Sequence, residues 1–358
     1  MFGLVILAAL VIVAVGLKSV SNIVAPIFLI ITLVITVAPL RRWLVTRRLP
    51  SWLASVIALL VIYALLIMIL GSVVWSLTRL ATTLPQYTDE FRKLFDSAIN
   101  TAGGLGFDRE RLQQLAGSFD LSSFSGVASS LLSGITNAGS LLALMLAMVV
   151  FLAFDSADMG SRLDVIRQSR PQVADAMMEF AGRVRKYWVV TTIFGLVVAI
   201  INVAALGIIG VPLALTWGVL SFVTNYIPNI GFVLGLIPPA LIALLEGGLS
   251  DMVAVIIVYT VVNLVVQTII QPRFTGDAVG ITGTVAFVSL IFWAFLLGAL
   301  GALLAVPATL FVKALLVDHS ETGRWFGALI DSKPKPKPQP VRRRRAGTSS
   351  GAHPVARS

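Results

Sequence analysis

Thr224 to Ala240 read TNYIPNIGFVLGLIPPA, with three prolines, two glycines and two asparagines inside an apolar run. Proline and glycine are the poorest helix formers, and an unpaired peptide group in hydrocarbon costs roughly several kcal/mol. Backbone of this kind survives at membrane depth where protein or a wet path screens it from lipid. The stretch therefore reads as a broken hairpin beside a polar path, with Pro228, Gly231, Gly235, Pro238 and Pro239 shaping the breaks. A proline-kinked ordinary helix is the alternative.

The rest of the chain supplies the membrane setting. Of 358 residues, 57% are hydrophobic and 12% charged, and the mean hydropathy is +0.94. Soluble domains carry about 25% charged residues. There is no cysteine, which excludes disulfides and thiol chemistry, and His319 and His353 lie outside the apolar segments. The net charge of +10 is mostly a tail, since residues 332–358 hold eight Lys or Arg and no acid. No aromatic side chains interleave that basic run, so no nucleic-acid partner is expected. G-x-x-x-x-G-K-[ST], H-E-x-x-H and paired acids deep in a span are all missing. An enzyme is therefore not expected, and no metal or cofactor is.

The apolar segments predict an all-α polytopic membrane protein of about eight spans, with broken or re-entrant hairpins and a helical soluble insert. Residues 1–77 comprise an N-terminal hairpin, interrupted from Lys18 to Pro26, and a third span. Between these, RRWLVTRR at 41–48 packs four arginines into a short loop, the mark of a cytoplasmic side. Residues 78–138 form an insert that span counting puts outside the cytoplasm. Leu77, Leu80, Leu84, Tyr87, Phe91, Leu94 and Phe95 recur there at three- and four-residue spacing, as on an amphipathic helix.

Residues 139–187 hold a return span and an arginine-rich cytoplasmic connector, with the next span at 189–210. Residues 188–317 are the transport core with broken helices, in which 211–247 divides into two apolar pieces, 252–270 spans, and 281–297 and 299–317 meet around Gly298 and Gly301. Residues 318–358 form an unpacked basic tail containing KPKPKPQPVRRRR. Its charge suits either a topology signal or contact with anionic lipid. Parity puts Arg273 and the C-terminus on the side of the four-arginine loop.

The polar residues left inside the membrane are neutral. Asn263, Gln267 and Gln271 fall four apart, on one face of a helix. Buried amides are costly unless paired or facing water, so they either join helices or line a permeation path. Asn225 and Asn229 are also four apart, across Pro228. Arg273 would guard the cytoplasmic mouth, and the five amides would hydrogen-bond a small polar solute. Gly231 and Gly235 form G-x-x-x-G, read as close packing within the hairpin rather than a dimer seam. Asp155, Glu246, Asp251 and Asp277 all lie at segment ends, so a coupling acid, if used, would have to be Asp277 or Glu246.

The order IPNIGFVLGLIPPALIALLEGG, VIIVYTVVNLVVQTIIQPRFTGDAVGI and FWAFLLGALGALLAVPATL, preceded by RVRKYW, resembles the autoinducer-2 exporter family of bacterial membrane proteins. The resemblance implies a multi-pass transporter of the bacterial inner membrane that exports a small polar signalling molecule. It also implies a homo-oligomer, pentameric in the family, and cation/proton antiport as an alternative activity. Residue by residue, Ile227-Pro228 and Gly231 match an Ile-Pro-x-x-Gly element, and Pro238 matches the proline of its next half. Pro272 and Gly276 match a Pro-x-x-x-Gly element, and Gly301 and Pro307 match the closing Gly-x-L-L-A-V-P. Two departures bear on solute and coupling: Val266 stands where many members carry glutamate, and Thr282-Gly283 stands where many carry His-Pro. A third reading, a non-transporting scaffold built on the insert, leaves the buried amides and the breakers unexplained.

Overall fold

Apolar runs in lipid satisfy their peptide groups by coiling into helices. The computed structural model describes residues 2–87, 142–155, 159–228, 230–271 and 281–315, with Asp89, Lys93, Ser97, Ile99, Gly139 and Phe274 as isolated positions. Among the described residues there are helices and turns and no strand. α1 (Phe2–Ser19), α2 (Ser21–Thr46), α3 (Ser51–Leu66) and α4 (Ser72–Thr83) come first, with a π-helical turn at Ile67–Gly71 between the last two. α5 (Leu142–Asp155) bends by 61° into α6 (Met159–Ser169). α7 (Pro171–Ile209), α8 (Ala214–Thr224), α9 (Ile230–Val262) and α10 (Gly283–Lys313) complete the order, and α9 continues as a π-helix over Asn263–Ile270. Among the described residues five helices are long and apolar enough to cross a membrane, or six with the bent α5–α6 pair. The chain is thus a multi-pass membrane protein whose described residues are all-helical. The insert beyond Tyr87, isolated positions aside, and the tail from residue 316 lie outside the described residues.

α7 begins with Pro171 at its first turn, where a missing N–H costs nothing. It ends at Gly210, whose φ of 93° is left-handed. The N–H groups of Gly210 and Val211 both close on the Leu206 carbonyl, at 3.0 and 2.9 Å. Nothing between Pro171 and Gly210 interrupts the helix, so the arginine-rich connector from Pro171 onward and the span at 189–210 are one 39-residue rod. Its half from Trp188 to Ile209 is the apolar part, about 33 Å long and enough to cross.

α9 and α10 each fold back on themselves. Gly248 (φ 80°, ψ −166°) and Gly298 (φ 67°, ψ −149°) occupy a backbone region that is essentially glycine-only. Trp293 Nε1 donates to Thr309 Oγ1 at 3.0 Å across 16 residues, which a straight helix would hold about 24 Å apart. Each arm of α10 is about 22 Å long, short of the ~30 Å hydrocarbon core, and the two arms lie back to back as a hairpin. Its tip, Leu296 and Leu297, packs with Ala25 against Ala14 and Leu17. Lys18 Nζ sits 3.6 Å from the Phe295 ring centre.

The two largest apolar clusters hold the bundle. In the first, Leu29, Ile30 and Leu33 of α2, Ile62 and Leu66 of α3, Val184 and Trp188 of α7, and Leu304 and Leu310 of α10 are buried together. The second joins Leu206 of α7, Trp217 of α8, and Ile242, Val255 and Tyr259 of α9. Trp217 also donates from Nε1 to the Pro212 carbonyl at 2.9 Å.

Pro238 and Pro239, read from sequence as breakers that end a helix, lie inside α9 without ending it. Pro239, Ala240, Ile242 and Ala243 are buried there, and packing against the second cluster outweighs the lost donors. The true end of that arm is Gly248.

Candidate functional site

α8 runs antiparallel to the apolar half of α7, and small residues set the approach. A Cβ on Gly218 would come within 2.0 Å of Val203 Cγ2 and 3.3 Å of the Ala199 carbonyl. Further along, Asn202 Nδ2 donates to Ser221 Oγ at 3.2 Å, and Asn225 Nδ2 donates to the Thr191 carbonyl at 3.2 Å. Tyr187 OH then donates to the Tyr226 carbonyl at 3.1 Å. The reversal after Thr224 thus lies level with the start of the apolar half of α7. It is closed by its own backbone: Ile227 N bonds Thr224 O at 2.9 Å and Gly231 N bonds Ile227 O at 3.0 Å. The broken backbone therefore keeps its peptide groups for itself, and polarity is offered by side chains instead.

The returning arm of α9 presses on α8 through Gly231 and Gly235. A Cβ on Gly231 would fall 1.8 Å from the Thr224 carbonyl oxygen, and one on Gly235 would fall 2.8 Å from Thr224 Oγ1. This G-x-x-x-G pair serves packing within the hairpin.

Between these helices lies a cavity of about 10 Å³, the room of one water. α7 contributes Val198 and Asn202, and α8 with its following residue contributes Ser221, Thr224 and Asn225. The first arm of α9 adds Phe232 and Gly235; the second arm and its π-helix add Tyr259, Asn263 and Gln267. None of the lining residues is charged. Ser221 Oγ donates to Tyr259 OH at 3.4 Å, and Gln267 Nε2 donates to Asn225 Oδ1. Asn202 Oδ1 and Asn263 Oδ1 are buried with no hydrogen-bond partner. An orphan buried acceptor costs about 1–3 kcal/mol, so both oxygens mark places where a donor from a water or a solute would be stabilised.

Tyr226, next after the lining residue Asn225, lies level with Tyr187. It is fully buried, shares a 2.8 Å hydrogen bond with Thr192 Oγ1, and stacks 5.4 Å from Trp188 and 5.5 Å edge-on from Phe222. These rings belong to the first apolar cluster and not to the cavity lining.

Residues 4–320 match the model of the AI-2E family transporter. The chain belongs to the AI-2E transporter family. The AI-2 transport protein TqsA of Escherichia coli K12 is 31% identical over 312 residues, covering 87% of this chain and 90% of that protein. YhhT of the same strain is 30% identical over 306 residues, covering 85% of this chain and 86% of its own length. YrrI of Bacillus subtilis 168 is 24% identical over 323 residues, covering 83% and 87%.

In this AI-2E transporter the structure brings Asn225, Asn263 and Gln267 together at one cavity. Gln271, half-buried one residue past the π-helix, does not line it. Asn229, Pro272, Arg273, Gly276 and Asp277 lie outside the described residues. Glu246 sits at the fold-back of α9, away from the lining, where it accepts a 2.7 Å hydrogen bond from Tyr87 OH. No group of three or more acids and histidines that could hold a metal occurs among the described residues.

Sequence reading missed Asn202, Ser221, Thr224 and Tyr259. Asn202 is a lone amide in the apolar run IINVAAL, which has no spacing to flag it. Tyr259 stands four before Asn263, so the amide stripe continues one turn further than the amides alone reveal. The π-helix over Asn263–Ile270 carries no sequence signal either, although such segments are frequent at functional sites.

Proposed function

We propose that this AI-2E transporter is a secondary transporter or facilitator that exports a small polar solute, through a path that opens at the cavity between α7, α8 and both arms of α9. The observation that carries the reading is the convergence of seven uncharged polar side chains from three helices inside an apolar bundle, two of their oxygens unpaired. Polar groups at membrane depth are costly unless they serve a pathway or each other. By likeness to TqsA, the solute is of the AI-2 kind. A volume near one water admits no such solute, so this is a closed arrangement, and transport requires the α8–α9 hairpin to move against α7.

The reading places the chain in the bacterial cytoplasmic membrane, with the arginine loop at 41–48 and the C-terminus inside. α1, α2, α3, α5, α7, α8 and the two arms of α9 then count eight passes, α8 a short one, with α10 re-entrant from the cytoplasm. The insert lies outside, a homo-oligomer is the expected assembly, and Arg273 stands at the inner mouth.

The Asn263→Leu/Gln267→Leu double variant, reconstituted in proteoliposomes, should retain its fold and lose solute efflux. Efflux at the natural rate would refute the path. The antiporter reading gains nothing from the geometry, because the lining holds no acid and Glu246 is engaged by Tyr87.

A further inference from the structure

Arg185 of α7 reaches the face of α2 that carries Arg42, because the Ile35 carbonyl it contacts stands seven residues, two helical turns, before Arg42. Arg185 is half-buried, and its Nε donates to the Ile35 carbonyl at 3.5 Å. That carbonyl stands four residues before Pro39, which has no N–H to offer it. A proline in α2 thus creates the acceptor that fixes Arg185. Arg41, the neighbour of Arg42, is fixed in turn by a 2.8 Å bond from its Nε to Ser55 Oγ.

Among the described residues no carboxylate pairs with Arg42 or Arg185. The ion pairs among the described residues join Arg162 to Asp155, Arg167 to Asp175 and Arg183 to Glu179, and none falls at this corner. Burial first, and then repulsion from Arg42, lower the Arg185 pKa from its ordinary value. Two like charges at one face of α2 favour an anion, and guanidinium groups match phosphate oxygens in a bidentate fork.

The surroundings give the source of that phosphate. Trp43 and Trp52, 53% and 66% exposed, flank the loop that follows Arg42, and tryptophan is enriched at the headgroup level of bilayers. We propose that Arg42 and Arg185, with Arg41 alongside, form a site for the phosphate of an anionic phospholipid headgroup. Hydrogen bonds hold its Arg185 and Arg41 in place, whereas the basic tail attracts lipid by charge alone. Because Arg185 lies on the helix that carries Asn202, an occupied site would brace α7 against α2 at one end of the transport core.

The test uses the full chain in neutral detergent, with lipid binding read by native mass spectrometry. Phosphatidylglycerol, phosphatidylcholine and glycerol 3-phosphate are the probes. Phosphatidylglycerol should bind in preference to phosphatidylcholine, and Arg42→Gln, at an exposed position that leaves the Ile35 bond intact, should weaken it about fivefold. Arg42→Gln/Arg185→Gln should weaken it about twenty-five-fold, while neutralising Arg342 to Arg345 in the tail should leave the preference in place. Binding unchanged by Arg42→Gln, or a preference lost with the tail charges, would overturn the site. Competition by glycerol 3-phosphate at equal concentration would overturn the lipid as its occupant.

Discussion

Gly195→Ala perturbs the cavity from a position outside its lining, by way of Asn225. A methyl at Gly195 would land 2.8 Å from Asn225 Nδ2, inside contact distance, so the amide has to turn away. Turning breaks its bond to the Thr191 carbonyl and the one it receives from Gln267. At about 1 kcal/mol net for each, the closed arrangement loses about 2 kcal/mol, a factor of about thirty in its population against open forms. The chain has no cysteine, so Ser221→Cys places a lone thiol in the lining. Its reaction with a small water-soluble thiosulfonate in proteoliposomes should quicken about thirtyfold when Gly195→Ala is added. In an Asn225→Ala background both bonds are already gone, and the same change should alter the rate less than about twofold. Equal effects of Gly195→Ala in the two backgrounds would refute the reasoning, because the methyl would then act by some route other than Asn225.

Two further outcomes follow from backbone geometry. Gly231→Ala drives a Cβ to 1.8 Å from the Thr224 carbonyl, an atom that cannot swing aside, and should cost about 1–3 kcal/mol, read as a fall in melting temperature in detergent. Gly298→Ala has nothing within 4 Å of its new Cβ, so its cost is conformational alone, about 1–3 kcal/mol at this φ and ψ. A Gly298→Ala protein that melts with the natural chain would contradict the fold-back of α10.

Those glycines also show which parts of the fold were legible. The junction of two apolar pieces at Gly298 is visible in sequence because each piece is too short to cross and a glycine separates them. The reversal in Thr224–Ile230 is visible for the same reason, through Pro228. Pro238 and Pro239 mislead, because the sequence shows the donors they remove and hides the burial of Ala240, Ile242 and Ala243 that holds the helix together. Span boundaries blur where no breaker stands, as between the connector and the apolar half of α7.

The site divides along similar lines. Asn263 and Gln267 announce themselves by a four-residue repeat, and Asn225 by its place beside Pro228. Asn202, Ser221 and Tyr259 are single polar residues on separate helices, and only the crossing of α7, α8 and α9 brings them to one point. The pairing of Asn225 with Gln267 joins residues 42 apart in the chain, a contact no local pattern records. Packing by Gly195, Gly218, Gly231 and Gly235 makes that meeting, and those glycines lie among 29 in the chain, where composition alone singles out none of them.

Efflux from proteoliposomes, compared between Asn263→Leu/Gln267→Leu and a lipid-facing control at the exposed Ile257, tests the polar path most directly. The amide double variant should abolish export at undiminished protein insertion, and Ile257→Leu should export as the natural chain does. Export that survives loss of both amides would show that the solute crosses elsewhere.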